Sequence, residues 1–244
     1  MLNKNSFECL ILAGGYGTRL EKINPSRPKP MISVLHKPFL HYQLNFLKNS
    51  GIKNILISTG FLGDQIKSYI DHTEIPNLSI TCLQENKPLG TGGAIKNVIE
   101  YLKDDFVVCN GDTIAMFSLP EMIDFHKAKN ALLTMLIKKI PHSSRYGSVK
   151  LSPNNQILEF QKKSNIKNAW ISAGFFIFKK TCIPWNEYPE SFAYEDVLFP
   201  HLIKTNRTYG YLFNDYFIDI GTPESFSQFI NDISDKNYFK ILFD

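Results

Sequence analysis

Phe7-Glu8-Cys9-Leu10-Ile11-Leu12-Ala13-Gly14-Gly15-Tyr16-Gly17-Thr18-Arg19-Leu20 joins an apolar run, read as a buried strand, to a turn with three glycines in four positions. Such a turn lets backbone N–H groups approach a ligand that side chains would otherwise block. Arg19 and, nine positions after Leu20, Lys29 between Pro28 and Pro30 bring positive charge to the same region. Glycine amides with fixed cations at the end of a strand describe a polyphosphate cradle. Spacing excludes two familiar versions of it. A P-loop needs a lysine followed by Ser or Thr directly after its glycines. A dinucleotide fingerprint needs G-x-G-x-x-G and an acidic residue about 20 positions on, where this chain reads Val34-Leu35-His36-Lys37. On spacing alone, a plain glycine-rich strand–helix turn stays open as well.

The 244 residues suit a single α/β domain over 1–244, with 1–130 mainly binding nucleotide and 131–244 mainly binding the second substrate and closing the fold. A 43% hydrophobic content is ordinary for a globular protein. No apolar run approaches the length of a membrane span, and Met1 to Glu8 lack a signal-peptide pattern. A cytoplasmic protein without a membrane partner is expected. The net charge of +4 is spread over scattered lysines with no basic stripe, which argues against nucleic acid and suits phosphorylated small molecules. The four cysteines form no C-x-x-C pair and read as reduced thiols; the histidines have no zinc spacing.

Strand-like and helix-like stretches alternate through the first half. Strands are expected at 7–13, 54–59, 79–84 and 105–109, with helices near 39–47, 63–71 and 91–102. Repeated βαβ units imply a Rossmann-like, mixed, mostly parallel sheet flanked by helices, with ligands at the carboxyl ends of its strands. The second half changes to short β segments at 132–137, 148–151, 157–160, 170–178 and 208–213. These read as a smaller antiparallel β section over an acceptor site, with helices at 194–204 and from 224 onward.

Two aspartates carry chemical weight. Asp112 ends the Asn110-Gly111-Asp112 turn after a buried strand, and Asp219 sits inside the apolar Phe217-Ile218-Asp219-Ile220-Gly221. A carboxylate flanked by strand residues is costly unless paired or metal-bound. Asp112 alone also suits a turn former or helix cap. Together with a phosphate loop, the pair suggests Mg²⁺ held by two carboxylates and phosphate oxygens.

The chain resembles the sugar-1-phosphate nucleotidyltransferases. The resemblance rests on G-G-x-G-T-R-L at 14–20, P-K-P at 28–30, P-L-G-T-G-G-A at 88–94 and N-G-D at 110–112. It continues with R-Y-G at 145–147, A-G-F-F at 173–176 and F-I-D-I-G-T-P-E at 217–224, in the expected order over nearly the whole chain. What it implies is as follows. The strand end and loop Leu12, Ala13, Gly14, Gly15, Gly17 and Thr18 cradle the triphosphate, Arg19 and Lys29 stabilise charge on the transferred phosphoryl group, and Asp112 and Asp219 hold Mg²⁺. Glu85 and the turn Leu89-Gly90-Thr91-Gly92 face the nucleobase, and a carboxylate there favours guanine and hence GTP. Lys163 contacts the sugar phosphate, with Gly147, Ser172, Gly174 and Glu195 on the sugar side. Two departures stand out: Lys162 replaces the family's acidic residue in Phe-x-Glu-Lys, and Ser172 stands where Asn is frequent.

The chemistry such a reaction needs is consistent with these residues. A sugar 1-phosphate carries a charge of about −1.5 to −2 near neutrality, so its oxygen needs no Ser-His or Cys-His activation. In-line approach and neutralisation of two crowded polyanions suffice. Size and motif set are most similar to members that join GTP to D-glycero-α-D-manno-heptose 1-phosphate. Mannose 1-phosphate with GTP, or another sugar phosphate with UTP or CTP, is the alternative, followed by a non-catalytic sensor of nucleotide sugars. A homo-oligomer is left open.

Overall fold

The computed structural model describes residues 7–17, 26–162 and 165–243. Thr18, Arg19 and Lys163 lie outside the described residues. The chain divides into two compact units: one comprises 1–88, 109–115 and 217–244, the other 89–108 and 116–216.

The first unit opens with β1 (Glu8–Ala13), β2 (Ser33–Val34), β3 (Lys37–Pro38) and α1 (Phe39–Asn49). It continues through β4 (Asn54–Thr59), α2 (Gly63–Asp71) and β5 (Ser79–Gln84). Strands β1, β4 and β5 pair in parallel, in the register Leu10↔Leu56↔Thr81. That arrangement follows from the βαβ alternation, because a parallel partner requires a crossover. Strand β1 is apolar almost throughout and is buried at Cys9, Leu10, Ile11 and Ala13, as a strand covered on both faces must be. Helix α1 is buried nearly all round, and its Phe39 meets Phe229 edge-on at 5.3 Å.

The second unit starts with α3 (Gly90–Val98) and most of β6 (Asp105–Asn110), whose last two residues fall in the first unit. The first unit then takes β7 (Thr113–Ala115). Back in the second unit come α4 (Leu119–Ala128), β8 (Leu133–His142), β9 (Ser148–Leu151), β10 (Ile157–Gln161) and β11 (Lys167–Lys179). Helix α5 (Leu198–Ile203) and β12 (Thr208–Phe213) complete it. Strands β10–β9–β11–β8 are antiparallel neighbours, and β12 runs parallel to β8. A register shift in β11 between Ser172 and Phe176 coincides with Gly174 at φ +72°, a conformation that glycine adopts without strain. Ser118 caps α4 by accepting from the Glu121 backbone N–H.

The last segment returns to the first unit with β13 (Phe217–Asp219) and α6 (Pro223–Asp232). Thr222 and Ser225 form a reciprocal capping box at the start of α6, with Pro223 in its first turn. The α/β class expected from the sequence, with helices flanking a mixed, mostly parallel sheet and an antiparallel section, is the one found. Two helices are shorter than the periodicity predicts: α3 ends at Val98 and gives way to a 3₁₀ turn over Ile99–Tyr101. Helix α5 spans six residues, and Tyr194 to Val197 form turns before it. The Tyr194 N–H donates to Thr91 Oγ1, outside any helical ladder.

Candidate functional site

In the first unit, three segments meet where β1 ends. The Gly111 N–H donates to Leu12 O at 2.9 Å, and a methyl group at Gly111 would lie 2.8 Å from the same oxygen, so only glycine fits there. That contact seats the Asn110-Gly111-Asp112 turn against the strand that carries the glycine loop. Gly60, after β4, approaches equally closely: a Cβ on it would stand 2.6 Å from Gly14 O. Gly17 has φ +64° and faces the Lys29 side chain, whereas no described residue lies within 4 Å of a Cβ built on Gly15.

Lys29 starts a short 3₁₀ turn, and its Nζ lies 2.7 Å from Asp112 Oδ2. Thr113 Oγ1 donates to the other oxygen, Oδ1, at 3.2 Å. Asp219 is brought alongside by the antiparallel β7–β13 pair, in which Asp219 lies opposite Thr113 and the Ile220 N–H donates to Asp112 O at 2.9 Å. Asp219 Oδ1 accepts from the Gly221 N–H at 2.5 Å. Two aspartates more than a hundred positions apart in the sequence thus occupy neighbouring backbone positions. Hard carboxylate oxygens of this kind suit Mg²⁺. Among the described residues no group of three or more His, Cys, Asp or Glu is arranged to hold a metal. Two carboxylates fit an ion that draws its remaining ligands from phosphate and water.

Glu85 follows β5, and its backbone N–H donates to Thr59 O at 2.7 Å. Its Oε1 accepts from the buried Ser58 hydroxyl at 2.9 Å. A Cβ on Gly14 would come within 2.7 Å of that Oε1, so the carboxylate lies directly beside the glycine loop. The exposed rings of Tyr16 and Phe61, 5.2 Å apart, flank the same loop.

In the second unit, the Leu89-Gly90-Thr91-Gly92 turn opens α3 against the chain around Phe192. The Gly92 and Gly93 N–H groups both donate to Phe192 O, at 2.9 and 3.1 Å. A methyl group on Gly92 would fall 2.1 Å from the Phe192 ring. Gly90, at φ +71°, also abuts the Phe192 carbonyl. Thr91 Oγ1 accepts from the Tyr194 N–H at 3.0 Å and donates to Glu195 Oε2 at 3.3 Å. Burial pushes the Glu195 carboxyl above the usual glutamate range, although its own backbone N–H, Thr91 and Lys162 pull the other way. Lys162 forms an ion pair with Asp196, the residue next to Glu195. Here a basic residue in place of the family's acidic one finds an acidic partner.

Gly147 and Ser172 are joined by the Ser172 N–H donating to Gly147 O at 3.0 Å, and the Phe160 ring leaves no room for a Cβ on Gly147. Ser172 Oγ is shut off from solvent and has no hydrogen-bond partner among the described residues. Sequence reasoning singled out neither Ser58 nor Phe192, nor Gln43 on α1. Gln43 Nε2 donates to Asn110 O at 2.8 Å and to Thr113 O at 2.7 Å. Its only sequence signal is an amide among the apolar residues of a core helix.

The Nucleotidyl transferase family matches residues 8–236, and the chain belongs to it. It is 33% identical over 220 residues to the D-glycero-alpha-D-manno-heptose 1-phosphate guanylyltransferase of Aneurinibacillus thermoaerophilus, covering 90% of this chain and 95% of that protein. It is 30% identical to the mannose-1-phosphate guanylyltransferase of Mycobacterium tuberculosis, over 90% of this chain but 62% of that longer one. The crystal structure of HddC from Yersinia pseudotuberculosis superposes with a TM-score of 0.83 at 30% identity, covering 93% of this chain and 99% of the other. The same protein complexed with GMP-PN gives a TM-score of 0.81. No helix among the described residues is long and apolar enough to cross a membrane.

Proposed function

We propose that this chain transfers GMP from GTP to D-glycero-α-D-manno-heptose 1-phosphate, forming GDP-heptose and releasing pyrophosphate, with Mg²⁺ as cofactor. The observation that carries the reading is the Lys29–Asp112 pair set beside Asp219 and the glycine loop in one compact unit. The guanylyltransferase relatives, and the GMP-PN complex of the Yersinia protein, support the choice of substrates.

In this reading the N–H groups of Gly14, Gly15 and Gly17 bind the triphosphate, and Lys29 neutralises charge developing at the α-phosphorus. Asp112 and Asp219 hold Mg²⁺, whose chemistry is to neutralise phosphate charge as pyrophosphate leaves. Glu85 accepts from the guanine N1–H and exocyclic amine, and the 89–92 turn borders the base. Glu195 and Ser172 bond sugar hydroxyls, close to the Gly147 and Gly174 backbone. Arg19 and Lys163 keep the phosphate-binding roles implied by their motifs. The sugar-phosphate oxygen attacks the α-phosphorus directly, since it is already anionic. The four free cysteines support a reducing, cytoplasmic setting.

The test is a grid of four nucleoside triphosphates against several sugar 1-phosphates, scored by pyrophosphate release with Mg²⁺. The heptose phosphate with GTP should give the highest kcat/KM. A maximum with mannose 1-phosphate would move the chain to the mannose branch, and release from no pair would overturn the catalytic reading.

A further inference from the structure

Gln43 lies on α1, is 1% exposed and belongs to none of the motifs that define the site. Its single amide nitrogen uses both hydrogens on the Asn110-Gly111-Asp112-Thr113 turn: one goes to Asn110 O and the other to Thr113 O. These two carbonyls bracket Gly111 and Asp112. Two further backbone groups of the turn are held independently, the Gly111 N–H by Leu12 O and Asp112 O by the Ile220 N–H. The turn is therefore clamped from three sides, and Gln43 supplies the side facing the core.

The other end of the same amide is informative. Gln43 Oε1 is buried and has no hydrogen-bond partner among the described residues. An orphaned acceptor in a core is destabilising, because its bond to water is given up without replacement. An apolar side chain on this helix face would avoid that cost, yet the NH₂ group with its two bonds is present. Its value lies in what those bonds hold.

We infer that Gln43 is a positioning residue for the reaction, fixing the backbone on either side of Asp112 so that its carboxylate is presented in one place for the metal and for Lys29. The inference rests on the proposed metal role of Asp112. Gln43 touches neither substrate nor ion, and it acts through two peptide carbonyls. Loosening that turn should disturb ion binding more than GTP binding, because the glycine loop and Glu85 are anchored separately, on β1 and β4.

The experiment compares Gln43→Met, Gln43→Asn and Asp112→Asn with the unaltered protein. Methionine keeps the volume without the donors; asparagine keeps the amide but shortens its reach. Both Gln43 variants are expected to raise the Mg²⁺ concentration for half-maximal activity about tenfold, with the KM for GTP changed less than about threefold. Mn²⁺ binding, read by electron paramagnetic resonance with a non-hydrolysable GTP analogue and no sugar phosphate, should weaken by a similar factor. If Gln43→Met fails to fold, Gln43→Asn carries the same readouts. Unaltered metal dependence in the folded Gln43 variants, with Asp112→Asn impaired, overturns the inference alone. Unaltered Mn²⁺ binding in Asp112→Asn overturns the metal reading, and the inference with it.

Discussion

Lys29 Nζ lies 2.7 Å from Asp112 Oδ2, the two side chains being 19% and 23% exposed, and the pair joins motifs that are 83 positions apart. Each partner offsets the other's charge, so the site is close to neutral at this point before a polyanion arrives.

Lys29→Ala and Asp112→Asn should each lower kcat by about a hundredfold or more, since both act on charge that develops in the transition state. Unfolding in urea should change by only about 1 kcal/mol, as expected for a partly solvated pair. The double variant should lose much less than the product of the two single losses, because the residues act as one unit. Multiplicative losses in pyrophosphate release would separate their roles.

Gly15 and Gly92 should respond in opposite ways to alanine. Among the described residues nothing lies within 4 Å of a Cβ on Gly15, so Gly15→Ala should leave the melting temperature unchanged and raise the KM for GTP, because a bound phosphate would occupy that space. A Cβ on Gly92 collides with the Phe192 ring, so Gly92→Ala should cost about 1–3 kcal/mol of stability. A wild-type KM in Gly15→Ala would remove the loop from the phosphate site.

Glu85→Gln should erode the preference for GTP over ATP by about tenfold or more, since an amide cannot accept both guanine donors. Ser58→Ala, which removes the hydroxyl that steadies Glu85 Oε1, should show a smaller loss in the same direction. Competition between the two nucleotides measures both, and unchanged base selectivity in Glu85→Gln would reassign that carboxylate.

Glu195 carries a pH signature. Its folded carboxyl is raised by burial above the ordinary value of 4.5, so the folded state holds this proton more tightly than the unfolded chain does. The resulting stability is present below the ordinary value and is lost as pH rises through the folded one. Glu195→Gln should therefore be at least as stable as the native protein at pH 7 and flatten that limb of the stability curve. Its KM for the sugar phosphate should rise. An unaltered KM would separate Glu195 from the sugar.

The parallel half of the fold was legible because periodicity and turn chemistry agree there. Asn54–Thr59, Gly63–Asp71 and Ser79–Gln84 match their expected bounds residue for residue. Tyr194–Lys204 was less so. Its apolar spacing is helical, but Tyr194 to Val197 form turns against Thr91, a hundred positions earlier, and only Leu198–Ile203 is helix. Helix α4, from Leu119 to Ala128, carries its signal in the Ser-Leu-Pro-Glu start rather than in apolar periodicity. Within the candidate site, Asp112 and Asp219 were readable because a carboxylate at a strand end or in a β run demands a partner, and Lys29 because it brings a cation between two prolines after the glycine loop. Gln43 and Phe192 were not, since one acts through a buried amide and the other through a main-chain carbonyl, and neither role leaves a pattern in composition or spacing.

The three-segment make-up of the first unit has a bearing on synthesis. Its β1 and α1 leave the ribosome well before Asp219 and the carbonyls of Ile241 and Leu242, which accept from Asn49 and Asn45 on α1. At about 5–20 residues per second, some ten seconds or more separate the two ends, with the other unit's long segment in between. Helix α1 therefore waits on the nascent chain with two amides unmatched, and no partly made copy can assemble both aspartates. The first unit is complete only when residues 217–244 close onto 1–88 and 109–115.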